Sequence, residues 1–194
     1  MKTRQFYATL TAAALAMILL AASFAHAGWS VPGTGIDSSV QALVFDSTDN
    51  LYAGGTFSAA GGVSANNIAK WDGTAWAPLG TGMDHSVQAL ASDSAGNLYA
   101  GGHFTTAGGV SANYVARWDG SAWSALGSGM NDILSFYHVK ALACDSAGNL
   151  YAGGNFTTAG GVSANYVAKW DGSAWSALGP GRNPVPEHPA RLSR

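Results

Sequence analysis

One cysteine, Cys144, is all that the 194 residues contain, so no disulfide can form within the chain and its stability must come from packing. Charge is nearly as scarce. Only 10% of residues are Asp, Glu, Lys or Arg, where an average globular domain has about 25%, and this excludes a coiled coil or an acidic tail. Nine Lys and Arg stand against 11 Asp and Glu with no basic stripe, so no nucleic acid is expected as a partner. Glutamate occurs once, at Glu187. The HExxH, G-x-S-x-G and zinc-type Cys or His spacings are all missing, which leaves no motif-borne catalysis, no metal and no cofactor to expect. No segment beyond residue 27 carries a helical period or an apolar run of membrane-spanning length.

The N-terminus has Lys2 and Arg4, then the apolar stretch ATLTAAALAMILLAA from Ala8 to Ala22, then Ala25-His26-Ala27 before Gly28. A basic start, an alanine-rich apolar centre and a small-x-small site are the layout of a secretory signal peptide, so residues 1–27 are expected to be removed. The alternative is an uncleaved anchor, because Phe6 to Phe24 covers 19 residues. Cleavage leaves residues 28–194, secreted, periplasmic or at the cell surface, with no membrane span.

Glycine and tryptophan are plentiful, and the tryptophans are periodic. Trp29, Trp76 and Trp123 are spaced by 47 residues, and Trp175 follows after 52 because NDILSFYH (131–138) replaces DHS (84–86). Residues 93–127 and 145–179 differ only at His103 against Asn155 and Arg117 against Lys169, the mark of a recent duplication. Inside a unit the period is that of strands. Val87 to Ser92 alternates, Asp93 to Asn97 is a turn, and Leu98 to Phe104 is a second strand. The loop TTAGGVSAN ends at Asn113, Tyr114 to Trp118 is a third strand, Asp119-Gly120 is a tight turn, and Ala122 to Leu126 is a fourth strand. Four antiparallel strands per 47-residue unit make a β-propeller blade. The expected fold class is therefore all-β, a partial β-propeller of three four-stranded blades. The repeat domain covers 28–179, with units at about 36–82, 83–129 and 130–179 after an orphan outer strand at 29–33.

Two sets of residues recur in every unit. The glycine pairs of LYAGG are Gly54-Gly55, Gly101-Gly102 and Gly153-Gly154; the WDG tryptophans Trp71, Trp118 and Trp170 are each followed five residues later by Trp76, Trp123 and Trp175. A glycine pair followed by two spaced aromatics resembles the kelch repeat. The fuller string, GG-x-F-x-x-AGG-VSAN-x-[IV]-A-[KR]-WDG-x-AW, is similar to repeats of Rax2-type cell-surface polarity proteins and related bacterial exported proteins. The resemblance implies an extracellular propeller that serves as an interaction platform, with no shared chemistry. Read physically, Leu51, Phe57, Leu98, Phe104, Leu150 and Phe156 are core. The tryptophans are expected to be buried, and the glycines to make room for another backbone or a ring, the tryptophan of the next strand or blade.

Propellers close with about four to eight blades. Three units leave two expectations: a homodimer that closes a six-bladed ring, or an open arc with exposed apolar faces, a truncated copy of a longer protein. Residues 180–194, with four of the six prolines and no period, read as a disordered tail.

Binding is the function this pattern favours: an exported, non-enzymatic module for a protein or cell-surface glycan. In a propeller the loops at 60–66, 107–113 and 159–165 emerge beside the loops between units. That places Asn66, Asn113, Asn165 and His85 on one candidate rim, joined by Phe136, Tyr137 and His138 from the insertion. With Ile133 and Leu134 the insertion is apolar for a loop, either an interaction tip or a flap over exposed core. The alternative function is a multivalent lectin, with Tyr114, Tyr166 or an exposed tryptophan stacking on sugar and Asn113 and its equivalents bonding hydroxyls; a propeller enzyme is the third reading. No catalytic or metal residue is assigned. His85, His103, His138 and His188 do not recur across units, and the Asp46–Asn50, Asp93–Asn97 and Asp145–Asn149 segments lack the distal glutamate of a calcium loop and read as turns. Cys144 stands where Phe45 and Ser92 stand in the other units and reads as a packing residue.

Overall fold

Alternating side chains commit each unit to strands, and the turns between them decide which strands pair. A computed structural model describes residues 34–131 and 139–179. The first unit supplies β1 (Ser39–Phe45), β2 (Leu51–Thr56), β3 (Ala59–Ala60), β4 (Val63–Ser64), β5 (Ile68–Trp71) and β6 (Trp76–Pro78). The second supplies β7 (Val87–Ser92), β8 (Leu98–Gly102), β9 (Thr106–Ala107), β10 (Val110–Ser111), β11 (Val115–Trp118) and β12 (Trp123–Ala125). The third supplies β13 (Val139–Cys144), β14 (Leu150–Gly154), β15 (Thr158–Ala159), β16 (Val162–Ser163), β17 (Val167–Trp170) and β18 (Trp175–Ala177). The longer strands form three four-stranded antiparallel sheets, ordered β1-β2-β5-β6, β7-β8-β11-β12 and β13-β14-β17-β18.

Two details depart from the sequence reading. The TTAGGVSAN segment is a small hairpin rather than a plain loop, with Ala107 opposite Val110. Gly108 and Gly109 make its turn at φ +58° and +83°, dihedrals that only glycine adopts freely. The strands are also shorter than the alternation suggests. The second strand of the middle unit stops at Gly102, and the third begins at Val115 because Tyr114 sits at φ +67°, outside the extended region.

The sheets succeed one another as blades. Strand β7 lies between β1 and β13 and also covers β2, while β13 covers β8. The chain is a partial propeller of three blades; its two larger cores belong to the seams between them, and a smaller one, around Phe57, Ala60, Ala65 and Ala69, lies within the first blade. One core joins Tyr52, Ile68 and Leu79 of the first blade to Val87, Leu98 and Phe104 of the second. The next joins Tyr99, Val115 and Leu126 to Val139, Leu150 and Phe156 of the third.

The second glycine of the pair meets another backbone, as expected, whereas the first, at Gly54 and Gly101, serves a seam and meets valine, not the expected tryptophan. A Cβ on Gly54 would lie 2.5 Å from Val87 Cγ1 and 3.4 Å from Leu90 Cδ1; one on Gly101 would overlap Val139 Cγ1 and lie 3.2 Å from Leu142 Cδ1. Gly55 and Gly102 back onto the carbonyls of Ser39 and Ser86, beside the bulges in β1 and β7. Tryptophans cover Gly61, Gly108 and Gly160 instead. Trp123 and Trp175 are buried and bridge blades, donating Nε1–H to the carbonyl oxygens of Leu79 (3.0 Å) and Leu126 (2.9 Å). The buried Nε1 of Trp76 has no acceptor among the described residues. Trp71, Trp118 and Trp170 are only half-buried, tilted against Trp76, Trp123 and Trp175 at centroid distances of 5.6, 5.4 and 5.5 Å. The signal segment, the orphan strand at 29–33, most of the apolar insertion and the tail lie outside the described residues.

Candidate interaction rim

The first two short hairpins are gripped from both sides by the connections that flank their blades, and the third by the connection that precedes it. The chain leaving the first blade bonds back to that blade's hairpin base through Met83 N–H on the Asn66 carbonyl (3.0 Å), and forward to the next hairpin through Gly108 N–H on the Gly82 carbonyl (2.7 Å). The pattern repeats one blade on, through Met130 on Asn113 (3.2 Å) and Gly160 on Gly129 (2.7 Å). Hairpins and connections therefore share one rim, and Asn66, Asn113 and His85 lie on it. Phe136, Tyr137 and His138 lie outside the described residues.

The rim asparagines have work inside the fold. Asn66 Nδ2 donates to the Thr81 carbonyl and Asn113 Nδ2 to the Ser128 carbonyl, both at 3.0 Å. Asn165 is half-buried at the same position of the third blade. His85 is exposed; its Nδ1 accepts from the Ser86 N–H at 2.8 Å, and its ring lies 5.3 Å from that of His103. What the hairpins offer outward is valine. Val63, Val110 and Val162 are 46%, 43% and 46% exposed, one at each tip just beyond the glycine pair. Sequence reasoning passed over them, although a β-branched apolar residue between glycine and serine in each copy was the available signal.

Eight of the aspartates fall into three structural sets, the third completed by an asparagine. Asp46, Asp93 and Asp145 close the turn after the first strand, each accepting from the asparagine four residues on and from a tyrosine hydroxyl, Tyr52, Tyr99 or Tyr151. Burial works to raise the Asp46 carboxyl, but hydrogen bonds from Asn50 and Thr48 outweigh it and hold the group well below the usual range. The Asn149 side chain, foremost, brings Asp145 down to about 2. Burial first, and then the facing aspartate, pushes the Tyr52 and Tyr99 hydroxyls up to about 12.

Asp72, Asp119 and Asp171 cap the outer hairpin. The Ala75 N–H leads in bringing Asp72 down to about 2, and the Ala122 and Ala174 N–H groups lead likewise for Asp119 and Asp171, also about 2. The third set ties the chain before each blade to that blade's short hairpin. Asp37 accepts from the N–H groups of Ser58 and Ala59, Asp84 from those of Thr105 and Thr106, and Asn131, one residue before Asp132, does the same for Thr157 and Thr158.

Cys144 is half-buried, and its thiol is pushed up to about 11 by burial first and then by the charges of Asp93 and Asp145. Among the described residues no group of three or more His, Cys, Asp or Glu side chains is placed to hold a metal ion. No family model and no curated protein matches the chain.

Proposed function

We propose that this protein is an exported, non-enzymatic propeller module, of the kelch-like kind that its repeat residues resemble, which binds a protein partner at the cell surface through the hairpin rim. The observation that carries the reading is the exposed valine at the tip of each hairpin, Val63, Val110 and Val162, repeated in equivalent positions and held by the same backbone bonds. Three identical weak contacts presented together gain avidity on one surface. A protein partner is favoured because the Asn66 and Asn113 side chains each already donate a hydrogen bond within the fold and the Trp123 and Trp175 indoles are buried, which leaves Tyr166, 52% exposed, as a ring on which a sugar could stack. The N-terminal signal-type segment supports export.

The test is binding of labelled protein, residues 28–194, to intact cells of the exporting strain. The Val63→Asp, Val110→Asp, Val162→Asp triple variant, folded by circular dichroism, should bind at least about tenfold more weakly, and protease treatment of the cells should abolish binding. Loss of binding after periodate oxidation of surface glycans, with protease without effect, would instead establish the lectin reading. Undiminished binding by the triple variant would overturn the rim.

A further inference from the structure

We propose that the two outer faces of this partial propeller are halves of one seam, and that they join head to tail with a second copy of the chain to close a six-bladed ring. The inference uses surfaces other than the hairpin rim and stands independently of the function proposed above.

The chain contains the same seam twice. In each, the glycine of one blade receives a valine from the first strand of the next, Gly54 with Val87 and Gly101 with Val139. The third such glycine, Gly153, meets no valine: a Cβ there would touch only Ala141 Cβ at 3.8 Å and the Tyr166 carbonyl at 3.9 Å, both ordinary contacts within its own blade. The matching valine at the other end is Val40, 40% exposed where Val87 and Val139 are fully buried. The residues around each half follow suit. Leu43 is 60% exposed against 9% for Leu90; Leu178 is 45% exposed against 2% for Leu79 and Leu126; Val167 is exposed where Ile68 and Val115 are buried. The hydrogen bonding has the same gap. Each internal seam has a tryptophan N–H on the preceding blade's leucine carbonyl, Trp123 on Leu79 and Trp175 on Leu126. The buried Trp76 donor has no acceptor among the described residues, and across the proposed seam the leucine that corresponds to Leu79 and Leu126 is Leu178.

The end blades are not built as caps. Repeat arrays that stop in solvent present a polar outer face on their terminal units. Here the first blade keeps Val40 and Leu43 and carries Phe45, 61% exposed, where the second and third blades have Ser92 and Cys144. A leading face that fits the trailing face of the same chain is a heterologous contact, which makes a ring where the rotation closes. Two chains of three blades make six, inside the range of about four to eight in which propellers close; a third chain would exceed it.

The experiment is light scattering on residues 28–194 across the micromolar range, with two variants that disable opposite faces. The parent is expected at twice the chain mass. Val40→Asp and Gly153→Val are each expected at half that mass, with unchanged circular dichroism because both positions are open in the monomer. Mixing the two variants should restore a dimer, because an intact leading face on one chain then meets an intact trailing face on the other. Failure of the mixture to dimerise, a parent mass of one chain or of more than two, or a Gly153→Val variant that stays dimeric would each overturn the proposal.

Discussion

Gly101→Ala and Gly153→Ala are the same chemical change at equivalent positions of adjacent blades, and the seams predict opposite outcomes for them. At Gly101 the new methyl overlaps Val139 Cγ1 and lies 3.0 Å from Val139 Cβ and 3.2 Å from Leu142 Cδ1. Carbon atoms rest about 3.5–4.0 Å apart, and a valine cannot turn its branched side chain aside cheaply. Relief therefore requires β13 to retreat from β8 by about 1 Å, an overpacking that costs about 1–3 kcal/mol. At Gly153 the nearest atom is 3.8 Å away and φ is not left-handed, so alanine fits. Its narrower unfolded ensemble should stabilise by about 0.4–1 kcal/mol. The two variants should thus differ by about 1.5–4 kcal/mol. Urea denaturation followed by tryptophan fluorescence, at a concentration where the chain is monomeric, should separate their midpoints by about 1 M or more. Equal destabilisation of both variants, or a Gly101→Ala protein indistinguishable from the parent, would refute the seam argument.

Trp123→Phe should cost about 1–3 kcal/mol, because the buried Leu79 carbonyl loses its donor. Trp76→Phe, whose N–H has no acceptor among the described residues, should cost less in the same denaturation series. Asp49 sits at φ +63° where Gly96 and Gly148 occupy the same turn at +86° and +82°, so Asp49→Gly should raise stability by about 1 kcal/mol in thermal melts. The carboxyls of Asp72, Asp119, Asp145 and Asp171 are held at about 2 when folded, below the unfolded value of about 3.9. Their contribution is complete above pH ~4 and is lost as pH falls toward 2, so the melting midpoint should drop across that window. Cys144, with its thiol at about 11, should be alkylated at pH 8 roughly a hundredfold more slowly in the folded protein than in urea, read by mass spectrometry.

Blade architecture was legible because it rests on local signals: the 47-residue tryptophan spacing, period-two alternation, and turns of Asp, Gly and Asn. The strand Val87–Ser92 is where alternation placed it. The hairpin in TTAGGVSAN was missed because strands of two residues are too short to alternate, and its only local cue, Gly-Gly between Ala107 and Val110, is equally a cue for a flexible loop. Glycine neighbours were misread for a different reason. Recurrence at Gly101 shows that something comes close, but whether valine or tryptophan arrives depends on blade succession, a fact of tertiary structure. The same holds for Asp37, Asp84 and Asn131. They clamp the next hairpin across 21 to 27 residues, and the change from Asp to Asn beside the insertion hides the third member of the set.

Rim and seam are separate surfaces, yet their consequences multiply. A single chain presents three valine tips, and a closed pair of chains would present six on one ring. Avidity rises steeply with the number of contacts that can engage together, provided their geometry allows simultaneous engagement. A dimer-breaking change such as Gly153→Val should therefore weaken surface binding without touching a valine tip, whereas the tip substitutions should leave the dimer intact. The reverse dependence has no physical route, because the hairpin tips do not contribute to either seam core. Loss of binding in both variants, with loss of dimer in only one, is the pattern that two independent surfaces on one scaffold require.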